Sequence, residues 1–112
     1  MCDLHDTRTY ELVQAEGLRD PRAQSMLNEL YEQGCSVGYL VDMSAAIPTP
    51  QLNGHIEFLD GIIDPERLRV AFFQCYDPHV INAVNDYLRK GYRILLTGDA
   101  RQALAWCRGE IR

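Results

Sequence analysis

The sequence predicts a single small α/β domain, about four mainly parallel strands alternating with four helices. Three observations lead there. The uncharged run Val37 to Val41, flanked by turn-prone residues, has the composition of a strand buried on both faces of a sheet. The segments on either side of it are amphipathic and need such a sheet to cover. Strand-like runs then alternate with helical stretches of about ten to fourteen residues, a length that suits crossover connections between parallel strands.

At 112 residues the chain is one domain with room for one site or one interface. Residues 1–8 are polar and expected to fray, leaving 9–112 as the folded unit. Thr9 to Ala15 is a short β-prone run ended by Gly17, read as a strand although Leu12 and Val13 would also suit one turn of helix. Asp20-Pro21 opens a helix near 21–33, because the aspartate accepts from uncapped N–H groups and proline has none to leave unpaired. Ala23, Met26, Leu27, Leu30 and Tyr31 form its apolar face. Thr49-Pro50 opens a second helix, near 50–63, with Leu52, Ile56, Leu59 and Ile63 on one side and Asp64-Pro65 closing it. Leu68 to Gln74 is the next strand. Asp77-Pro78 starts a helix near 78–89 carrying Val80, Ile81, Val84, Tyr87 and Leu88, closed by Gly91. Tyr92 to Leu96 is the last strand, and Gly98-Asp99 starts a helix near 99–108 that packs Ala103, Leu104, Trp106 and Cys107.

A net charge of −5 with scattered basic residues argues against a nucleic-acid partner, which needs clustered Lys and Arg. The four cysteines stand more than thirty residues apart with no Cys-x-x-Cys, so all four are expected as reduced thiols. The start of the sequence has neither a basic region nor an apolar run. A cytoplasmic domain with no membrane anchor is the expectation.

Tyr10 to Gly17, the Asp20-Pro21 helix and Tyr39-Leu40-Val41-Asp42-Met43-Ser44 together resemble the first half of a STAS-like domain, the fold of anti-sigma factor antagonists. Arg69 to Phe73, the helix after it, and Tyr92 to Asp99 leading into Ala103-Leu104-Ala105-Trp106 resemble a bacterial STAS-like branch. The resemblance covers roughly residues 9 to 107 and consists mostly of core pattern. It implies a regulatory or protein-interaction role. The sigma-regulating members carry a phosphorylatable serine at the start of the helix after the central strand, whereas this chain reads Ile47-Pro48-Thr49-Pro50-Gln51 there. Thr49 is read as an N-cap.

In an open parallel sheet, ligands gather at the carboxyl ends of the strands. That edge should collect Asp42, Met43 and Ser44, then Gln74, Cys75, Tyr76, Asp77 and His79, then Thr97 and Asp99. Acids, a thiol and an imidazole could support catalysis. Asp77 and Asp99, however, are placed as helix caps, and Cys75 and His79 are split between a strand end and a helix start. Cys2 and His5 make only half of a zinc site. No glycine-rich nucleotide loop, Walker loop, zinc-protease or serine-hydrolase motif is present, and no cofactor or metal is expected.

The leading expectation is therefore a non-enzymatic regulatory domain that binds a protein, a second copy of the chain included. Its recognition surface would run from Ser44 to His55, with Asp42, Ser44, Thr49, Gln51, Asn53 and His55 as contact residues. The rival is a small apolar-ligand binder or weak enzyme using the edge formed by Cys75, Tyr76, Asp77, His79 and Asp99, with a pocket between a helix and the sheet.

Overall fold

Four short extended runs pair side by side, and the two inner ones, with Val37, Tyr39, Val41, Val70, Phe72 and Phe73, hold most of the β-branched and aromatic residues that favour a pleated surface. The computed structural model describes residues 10–18, 20–44 and 56–110. In it β1 (Glu11–Glu16), β2 (Val37–Asp42), β3 (Leu68–Phe73) and β4 (Arg93–Thr97) form one sheet in the order β1-β2-β3-β4, every neighbouring pair parallel. The run from Val37 sits in the sheet interior, as its lack of charge requires. The expected frayed segment 1–8 lies outside the described residues.

Side-chain alternation sorts the sheet into two unequal faces. Val13, Val37, Tyr39, Val41, Val70, Phe72 and Ile94 point to one face, which α1 (Pro21–Glu32) and α2 (Pro78–Arg89) cover with Ala23, Leu27, Val80, Val84 and Tyr87. Leu12, Leu40, Ala71 and Phe73 point to the other, where α3 (Ala100–Cys107) packs through Ala103, Cys107 and Trp106. α1, α2 and the described end of the β2–β3 connection, through Ile56 and Leu59, thus lie on one face, and α3 lies on the opposite one. Two residues expected on apolar helix faces are turned outward, Met26 on α1 and Leu88 on α2.

The caps fall where aspartate-proline pairs place them. Asp20 accepts from Ala23 N at 3.2 Å and also from Glu16 N at 3.1 Å, so one carboxylate ties the end of β1 to the start of α1. Those two backbone donors hold its pKa below the ordinary value. Asp77 accepts from His79 N at 2.9 Å and Asp99 from Arg101 N at 2.9 Å.

The expected helix near 50–63 is corrected over its second half. Residues 50–55, with the Thr49-Pro50 start, are outside the described residues. Beyond them the chain forms a 3₁₀ turn, Glu57–Gly61, then an extended Ile62 and a second 3₁₀ turn, Pro65–Arg67. Three tyrosines hold this shape. Tyr92 Oη donates to Leu59 O at 2.7 Å, Tyr87 Oη donates to Asp60 Oδ1 at 2.7 Å, and the Tyr31 hydroxyl bonds both backbone polar groups of Asp64. Tertiary partners here replace the bonds an α-helix would supply internally. Ile56 and Leu59 are buried as the periodicity predicts, while Ile63 is 93% exposed because the chain has left the helical phase before reaching it.

Cys75 and Cys107 are free and buried, but Cys35 is disulfide-bonded. The expectation of four reduced thiols fails there, since spacing along the chain is no guide to distance in the fold. Among the described residues no helix is long and apolar enough to cross a membrane.

Candidate functional site

The approach of α3 to the sheet decides what the carboxyl edge can be. At Gly38 on β2, a Cβ would lie 2.0 Å from the carbonyl oxygen of Cys107, so only glycine lets the end of α3 come this close. Trp106 Nε1 donates to Val70 O at 3.0 Å. The buried Arg69 guanidinium lies 4.7 Å from the Trp106 ring centre and donates to Trp106 O at 3.3 Å, where a cation also meets the negative end of the helix. These contacts fix α3 at its C-terminal end. Its first turn, built on the small residues Ala100 and Ala103, roofs a cleft of about 510 Å³ over the ends of β1, β2 and β3.

The strand ends are extended by two further bonds, Met43 N to Phe73 O and Gln74 N to Thr97 O, each 2.9 Å. Gln74 then turns with φ of +56°, a left-handed conformation uncommon for a side chain of this size. That reversal starts the loop that ends at the Asp77 cap.

Most polar groups expected to do chemistry are committed to local structure. Asp42 Oδ1 accepts from Ser44 N at 2.9 Å and Ser44 Oγ at 2.5 Å, closing the turn after β2. Thr97 Oγ1 accepts from Asp99 N at 3.0 Å and donates to Gln102 Oε1 at 2.6 Å, so the β4–α3 turn is held from both sides. His79 is exposed and makes no hydrogen bond with Cys75. Burial pushes the Cys75 thiol above its ordinary pKa, outweighing the opposing Asp77 N–H. The Cys107 thiol, beneath α3, is pushed up by burial to about 12. At this edge Cys75 is a buried thiol with no hydrogen bond to His79, while Asp77 and Asp99 cap helices.

Tyr76 differs from its neighbours. It is 78% exposed, and its hydroxyl lies beside the open backbone of Gly98. Of the contact residues expected from Ser44 to His55, Asp42 and Ser44 are placed at the edge, whereas Thr49, Gln51, Asn53 and His55 lie outside the described residues. Sequence reasoning missed Glu16 and Gln14 on β1 and Leu104 on α3, all of which line the cleft. Alternation along β1 puts Gln14 and Glu16 on one face, but only the pairing of β1 with β2 sets Glu16 beside Asp42.

Among the described residues no group of three or more His, Cys, Asp or Glu side chains could hold a metal ion. No protein-family model, curated protein or solved structure matches the chain.

Proposed function

We propose that this is a non-enzymatic regulatory domain, STAS-like in kind, that binds a protein partner at the carboxyl edge of its sheet. The observation that carries the reading is the contrast at that edge. Asp42, Asp77, Thr97 and Asp99 are spent on capping and turns, while a large aromatic, Tyr76, stands 78% exposed in solvent. Tyrosine so placed is a common anchor of protein interfaces, since it covers much area at little entropic cost. Glu16, Asp42, Asp77 and Asp99 give the same edge negative charge, which favours a basic partner surface.

The test compares the wild-type domain with Tyr76→Ala as baits in the source cell, using Met26→Ala, an exposed change on α1, as a surface control. The expected result is a partner captured by wild type and Met26→Ala but reduced at least about tenfold by Tyr76→Ala, the scale of a hot-spot truncation. Equal capture by all three baits would remove the proposed surface.

A further inference from the structure

The cleft beneath the first turn of α3 has two chemically distinct sides. Its floor and roof are apolar, with Leu40 and Phe73 on the sheet and Leu104 on α3, none of them fully buried. Its wall is anionic. Glu16 and Asp42 are direct register partners in the parallel β1–β2 pair, strands that run about 4.8 Å apart. Both face α3, and both line the cleft. Asp42 uses only Oδ1 in its turn, and among the described residues neither carboxylate is ion-paired. Two like charges side by side repel each other, and a cation between them relieves that repulsion. Asp99 at the start of α3 offsets the positive end of the helix, which would otherwise oppose a cation there.

We propose that this cleft binds a primary ammonium carried on a hydrophobic body, an alkylamine or arylalkylamine. The ammonium sits between Glu16 and Asp42, with the Gln14 amide one alternation step back along β1, and the body lies over Leu40, Phe73 and Leu104. A volume of about 510 Å³ falls within the range of small-molecule sites, about 300–1,000 Å³. A neutral apolar ligand would strip water from two carboxylates and return nothing to them. A small hydrated metal ion would leave the apolar side unused, and an anion is repelled by the wall. The site is separate from Tyr76, which does not line it.

The experiment titrates the folded domain with 2-phenylethylamine and with its uncharged analogue 2-phenylethanol, following backbone amide shifts at low ionic strength. The amine should bind saturably and at least about tenfold more tightly than the alcohol, with shifts centred on residues 14–16, 40–42 and 100–104. The double variant Glu16→Gln/Asp42→Asn should lose that preference and bind both compounds at the level of the alcohol. Asparagine keeps the acceptor that Ser44 uses, so the turn survives, and Glu16→Gln alone, an exposed change, should lose part of the preference if the double variant folds poorly. Leu104→Ser should weaken both compounds. Equal binding of amine and alcohol, no saturable binding of the amine, or a preference that persists without the two carboxylates would overturn the site.

Discussion

Gly38→Ala should cost about 3 kcal/mol or more, the upper range for forcing an atom into a packed core. The added methyl would meet the Cys107 carbonyl oxygen at 2.0 Å, its carbon at 2.6 Å and the Cys107 Cβ at 2.8 Å. Two of these are backbone atoms at the end of α3, so relief requires moving the helix and cannot come from a rotamer change. In a domain of this size such a loss lowers the melting temperature by more than about 10 °C. Gly61→Ala is the control, because open space surrounds that position, and it should shift stability by no more than about 0.5 kcal/mol. The chain has one tryptophan, Trp106 on α3, so its emission reports the helix directly. Whatever native population Gly38→Ala retains should show that emission shifted to the red.

Phe72→Ala should be comparably severe for a different reason. The side chain is fully buried at the centre of the sheet, on the face covered by α1 and α2, and its removal leaves a cavity that packed neighbours cannot fill. A loss of about 3–5 kcal/mol is expected. The two substitutions act on opposite faces, so in Phe72→Ala the surviving native state should keep the wild-type Trp106 emission. Equilibrium urea unfolding followed by circular dichroism and by fluorescence measures both quantities together.

Most of the architecture is legible in the sequence, because local rules and tertiary packing agree in it. The Asp20-Pro21, Asp77-Pro78 and Asp99 caps lie at helix starts since the same carboxylate oxygens serve in isolation and in the fold. The strand from Val37 reads as interior because its uncharged run has nothing that must face water. The features that escape such reading depend on contacts distant in sequence. The hydroxyls of Tyr31, Tyr87 and Tyr92 impose 3₁₀ geometry on a segment whose own spacing is helical. Gly38 looks like any strand glycine until α3 crosses above it. Glu16 looks like a polar strand end until strand order sets it against Asp42. The cleft beside these groups arises from two alanines in the first turn of α3, and small residues announce no cavity without knowledge of what lies opposite.

The alkylation rate of Cys75 tests most directly the proposal that the carboxyl edge of this sheet recognises a partner and carries out no chemistry. The thiolate is the reactive form, and burial raises the pKa of Cys75, so its thiolate fraction at neutral pH is below that of an ordinary thiol. The reaction with iodoacetamide at pH 7 should therefore be slower in the folded domain than in the urea-unfolded chain, with the modified residue identified by peptide mapping. The rate should remain low through neutral pH and rise only above the ordinary thiol range near 9. A folded-state rate exceeding that of the unfolded chain, with a midpoint below the ordinary thiol value, would reveal an activated nucleophile and contradict the account.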